Sequence, residues 1–161
     1  MLLIITIASS LYLWIIGRNR TLLLFLAAVG GAALLTLLTK FLFDRPRPDY
    51  MSALTLETSG SFPSGHALLS TVVYLTVGVL LGGTTDQKRL KIYFILVALV
   101  LTGMVGFSRV YLGVHYPTDI LAGFSGGLVW AVLCWAIACH LQKQGSIKEA
   151  AEDDRPANTR R

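Results

Sequence analysis

Long apolar runs broken by short polar gaps dominate the chain, at residues 2–16, 21–43, 66–82, 90–107 and 117–140. A membrane-crossing helix needs about 20 apolar residues, with a working range of about 17–25. The second and fifth runs meet this easily, and the third and fourth are adequate. The first is short and starts at the initiator methionine. It lacks a basic leader and a small-residue cleavage site, so it reads as a span that is short or lacks upstream sequence, rather than as a cleaved signal peptide. The pattern therefore predicts an all-α, polytopic transmembrane bundle of about five spans. Residues 1–141 would form the membrane domain, and 142–161 a polar, disordered cytoplasmic tail.

Composition agrees with this division. Of the 161 residues, 54% are hydrophobic and only 14% charged, whereas a soluble domain carries about a quarter charged residues. The net charge of +5 does not point to nucleic acid, because the basic residues lie in the gaps between runs. Arg18, Arg20, Lys88, Arg89, Lys91, Lys143, Lys148, Arg155, Arg160 and Arg161 fall on one face if the spans alternate strictly. The positive-inside tendency makes that face cytoplasmic. Cys134 and Cys139 lie inside one apolar run and read as packing residues. The segment 49–62 is the longest outward loop, either a lid or a plain connector. Gly123 and Gly127 have the spacing of a close helix contact, within the chain or in a homodimer.

The opposite face receives Lys40, Arg45, Arg47 and Arg109, together with His66 and His115. They arrive in three polar stretches, each at the end of an apolar run: Lys40 to Pro48, Pro63-Ser64-Gly65-His66, and Ser108 to Asp119. Phosphoryl transfer depends on positioning and on fixed positive charge around the equatorial oxygens. Lys40 offers a point charge, while Arg47 and Arg109 offer paired donors. Arg45 could add charge for a diphosphate. Ser64 can cap a helix or donate to an anion. Gly65 lets backbone N–H groups approach phosphate at a helix N-terminus. Asp119 lies four residues after His115, where it can hold one ring nitrogen and leave the other to attack phosphorus. Taken singly, Lys40 also fits interfacial snorkelling, the arginines headgroup contact, Asp119 helix capping, and His115 satisfied burial. Their convergence on one face favours catalysis. His140, at the cytoplasmic end of the last run, has no assigned role.

The three stretches read Lys-x6-Arg-Pro, Pro-Ser-Gly-His and Ser-Arg-x5-His-x3-Asp, without gap or substitution from Lys40 to Asp119. In this the chain resembles the type 2 phosphatidic acid phosphatase and vanadium haloperoxidase superfamily, in its membrane lipid phosphatase branch. The resemblance implies metal-independent phosphate removal without a cofactor. His115 would be the nucleophile, Asp119 its orienting partner, and His66 the general acid. Lys40, Arg47, Ser64, Gly65 and Arg109 would bind the phosphate. It further implies a bacterial cell membrane, a site facing the periplasm or outside, and a lipid phosphate or prenyl diphosphate substrate drawn from membrane lipid. Phosphatidic acid, phosphatidylglycerol phosphate and undecaprenyl diphosphate are the substrates it suggests. Membrane members generally have six core helices, so five runs here leave the first helix unaccounted for. Haloperoxidase chemistry is disfavoured because most of the chain is membrane span. A transporter is disfavoured because the ionisable groups gather at one face.

Overall fold

The computed structural model describes residues 1–43, 45–46 and 60–153, with side chains described as far as Leu141. Five helices follow one another: α1 (Leu2–Ile15), α2 (Asn19–Leu42), α3 (Gly65–Gly82), α4 (Lys88–Tyr111) and α5 (Pro117–Asp153). Four of them, α2 to α5, are long and apolar enough to cross a membrane, α5 through its portion Pro117–Leu141. With 14 residues, α1 is a shorter apolar helix. The helix of α5 runs past the end of the apolar portion, so the change in composition near Leu141 is not a break in the backbone.

Helix α3 is the axis of the bundle. It packs on each of the other four, most extensively on α4 and α5. More than half of its span is buried, against about a fifth of α2, α4 and α5. Those outer helices expose Leu37, Phe41, Val100, Met104, Leu121 and Val129, among others. Apolar side chains on the outside suit a bilayer, where lipid rather than water is the solvent.

Small residues set how closely the helices approach. Ala28, Ala32, Leu68 and Val72 form one buried cluster between α2 and α3. Val73, Tyr74 and Ala98 form a second between α3 and α4. A Cβ on Gly123 would lie 2.7 Å from the Ser64 carbonyl oxygen, and one on Gly127 the same distance from that of Leu68. The pair therefore lets α5 lie directly on α3 within the chain.

Polar side chains inside the helices are satisfied locally. Thr36, Thr71 and Thr102 each donate to the carbonyl four residues earlier, at 2.8–2.9 Å. This removes the cost of an unpaired hydroxyl in an apolar setting. Trp130 Nε1 donates to the Ala28 carbonyl at 2.8 Å and ties α5 to α2.

The antiparallel course of the helices separates two ends. At one end, Arg18, Gly83 and Cys139 border an apolar pocket of about 520 Å³ between α2, α3 and α5. The ends of α2 and α4 and the starts of α3 and α5 meet at the other.

Candidate active site

A cleft of about 820 Å³ opens at that second end. Lys40, Gly65, His66, Ser108, Arg109 and His115 line its polar part, and Leu2, Val29, Ala33, Leu69, Val73 and Val105 its apolar part. Each polar residue sits where a helix starts or stops. Lys40 is in the last turn of α2 and Arg109 in the last turn of α4. Gly65 and His66 open α3.

His115 owes its place to the turn after α4. Gly113 has φ +67°, in the left-handed region that side chains disfavour. Its N–H donates to the Val110 carbonyl at 2.9 Å, and that of Val114 to the Arg109 carbonyl at 3.2 Å. The chain thus folds back on the helix end, in the manner of a glycine C-cap. His115, buried at 4% exposure, is thereby delivered beside Arg109.

Asp119 is the hub of the site. Its side chain is fully buried, and Oδ2 lies 3.5 Å from His115 Nδ1. The Tyr116 N–H donates to the same oxygen at 3.0 Å. Arg45 Nη1 donates to Oδ1 at 2.8 Å. The Asp119 carbonyl accepts the Ser64 N–H at 3.1 Å, which ties the start of α3 to the start of α5. One residue therefore links segments from all three signature stretches.

Ser64 precedes α3 as its N-cap, yet its hydroxyl makes no capping bond. Among the described residues, Ser64 Oγ and Arg109 Nε are buried without a hydrogen-bond partner. Native proteins seldom leave such groups unsatisfied, so both are suited to receive a ligand. The first N–H groups of α3 lack intrahelical partners and carry the positive end of the helix dipole. With Lys40 and Arg109 lining the same cleft, they have the charge and donors that an anion would need. Gly65 has a packing role as well: a Cβ there would lie 2.7 Å from Thr36 Cγ2 on α2.

The structure thus brings Lys40, Ser64, Gly65, His66, Arg109, His115 and Asp119 together. Arg47 and the loop 49–62, apart from residues 60–62, lie outside the described residues. Sequence reasoning missed Gly113 and the partner of Arg45. A glycine just beyond a helical run was the available signal for the first. Nothing local signals the second, a contact across 74 positions.

The chain is similar to several known proteins. The chain is 42% identical over 109 residues to phosphatidylglycerophosphatase B of Bacillus subtilis, covering 66% of this chain and 53% of that one. It is 33% identical over 94 residues to an undecaprenyl-diphosphatase of Sulfolobus acidocaldarius, covering 57% and 38% respectively. The chain spans about half the length of the curated relatives it matches. Among solved structures, a transmembrane PAP2 type phosphatidylglycerolphosphate phosphatase from Bacillus subtilis superposes with a TM-score of 0.72 at 35% identity, over 85% of this chain and 66% of that one. LpxE of Aquifex aeolicus shares the fold, with a TM-score of 0.60 at 22% identity over 81% and 75%. The profile of the PAP2 superfamily matches residues 21–142, from the start of α2 through the apolar part of α5, and the chain belongs to that superfamily.

Proposed function

We propose that this chain is an integral membrane lipid phosphatase, removing phosphate from a phosphomonoester or diphosphate headgroup through a phosphohistidine. The observation that carries the reading is the His115–Asp119 pair at one wall of a cleft whose other walls hold Lys40, His66 and Arg109. The named activities of the relatives, on phosphatidylglycerol phosphate and undecaprenyl diphosphate, point to the same substrate class. The apolar part of the cleft suits a lipid whose chain stays among the helices.

Asp119 faces Nδ1 of His115, which assigns attack to Nε2. As the Nε2–P bond forms, the P–O bond to the leaving group breaks. His66, protonated, gives its proton to the departing oxygen. Arg109, Lys40, the Ser64 hydroxyl and the N–H groups at the start of α3 hold the equatorial oxygens, where charge accumulates in the transition state. Arg47 joins them in this reading. Water then attacks phosphorus, giving its proton to His66 while the P–N bond breaks, so that inorganic phosphate is released and free His115 and protonated His66 are regenerated. The distribution of basic gaps supports a site on the non-cytoplasmic face.

Phosphate release from phosphatidic acid or phosphatidylglycerol phosphate in detergent micelles, with chelator present, tests the proposal. The wild-type protein is expected to turn over, and His115→Ala to lose about 10³-fold or more of the rate. Activity that survives in His115→Ala, or that the chelator abolishes, contradicts it.

A further inference from the structure

We infer that Arg45 is a positioning residue of this site, one that clamps the Asp119 carboxylate and through it sets the orientation and basicity of His115, rather than a ligand of the substrate. The inference rests on the proposed role of His115 as nucleophile.

The guanidinium is held on three sides. Nη1 donates to Asp119 Oδ1 at 2.8 Å and to Thr118 Oγ1 at 3.0 Å. The guanidinium carbon lies 4.5 Å from the centre of the Tyr116 ring, within cation–π range. The backbone behind it is anchored too. The Ser61 N–H donates to the Arg45 carbonyl at 2.9 Å, and the Ser61 hydroxyl to the Pro46 carbonyl at 3.0 Å. Ser61 itself is fully buried, and Phe43 packs edge-on against Phe62 at 5.3 Å between ring centres.

This clamp divides the work of the carboxylate. Oδ1 is taken by Arg45, while Oδ2 faces His115 Nδ1 and the Tyr116 N–H. A fully buried carboxylate needs a counter-charge, and Arg45 supplies it. His115 is among the described residues lining the cleft and Arg45 is not; the Asp119 carboxylate joins the two, one oxygen to each.

Among the described residues, the charged or titratable groups that line the cleft with His115 or meet the Arg45–Asp119 pair are the Met1 terminus, Lys40 from α2, Arg45, His66 and Tyr74 from α3, Arg109 from α4, Tyr116, and Asp119 from α5. Among these, Asp119 favours a proton on His115 and Arg45 offsets it. Without Arg45, His115 keeps its proton to higher pH. Attack requires the unprotonated ring, so the acidic limb of the rate profile moves upward.

The test compares wild type, Arg45→Ala and Arg45→Lys in detergent, with phosphatidic acid and with a prenyl diphosphate. Arg45→Ala is expected to lower kcat about 10- to 100-fold while KM for phosphatidic acid stays within about 2-fold. Its acidic limb should rise by about half a pH unit or more. Added ethylguanidinium should restore part of the rate, since the Arg45 side chain is 40% exposed and its site open to solvent. Arg45→Lys should fall between, because a point charge cannot reproduce the planar contacts. In an Asp119→Ala background, Arg45→Ala should cost less than about 2-fold more. A raised KM with kcat retained, or a loss confined to the diphosphate, would overturn the inference in favour of substrate binding. Loss in both variants with a lower unfolding temperature, no shift of the limb and no rescue would reduce Arg45 to a structural residue. An inactive wild type would overturn the phosphatase reading, and this one with it.

Discussion

In the proposed mechanism two histidines have different duties. Attack needs His115 without its proton, and departure needs His66 with one, so kcat should trace a bell against pH. A flat profile across the histidine range, around pH 6.5, would contradict the division of labour. His66→Ala gives a sharper test. General-acid help is worth about 10²- to 10⁴-fold, and it matters most when the leaving group is a poor one. The variant should therefore lose far more rate on a lipid phosphate than on an activated aryl phosphate. Equal losses on both would remove the acid role. The contact between His115 and Asp119 was legible from spacing alone, because the two are four residues apart and meet locally. Ser64 was ambiguous, since a serine before a helix usually caps it. Only the fold shows its hydroxyl buried and uncommitted. The Arg45–Asp119 pair could not be read at all, because it depends on how the end of α2 meets the start of α5.

Helix contacts at backbone distance hold these residues in place. Gly127 is such a contact, with an added Cβ lying 2.7 Å from the Leu68 carbonyl oxygen and 2.8 Å from Thr71 Cβ. Gly127→Val should lower stability in detergent by about 1–3 kcal/mol, seen as a reduced unfolding temperature. Gly103→Ala, with nothing within 4 Å of the new Cβ, should stay within about 0.5 kcal/mol of wild type. Similar effects at the two sites would show that close α3–α5 packing does not hold the bundle together. The runs of apolar residues predicted the helices: each run is helical, and four of the helices are long and apolar enough to cross a membrane. They mislaid the ends, since hydropathy records the solvent around a helix and not its backbone bonds. Helix α4 continues to Tyr111 and is stopped by the glycine turn. Helix α5 passes into polar sequence as far as Asp153, through alanine, glutamate and lysine, which favour helix.

At the scale of the whole molecule, the bundle sorts its charges by end. The cleft lies at one end, and Arg18 with the α3–α4 turn at the other. Cysteines introduced one at a time, with Cys134 and Cys139 replaced by alanine, should report which end faces out. Leu112→Cys, beside the cleft, should react with an impermeant thiol reagent in intact cells. Asp86→Cys, in the α3–α4 turn, should react only after permeabilisation. The reverse pattern would place the chemistry in the cytoplasm. The central claim, however, is covalent: phosphorus passes through His115. Rapid acid-free quenching of the protein with a lipid carrying radiolabelled phosphate should trap label that resists alkali, is lost in acid, maps to the peptide containing His115, and is missing in His115→Ala. Steady turnover of that lipid with no label on His115, in wild type and in a slowed His66→Ala variant alike, would contradict the account.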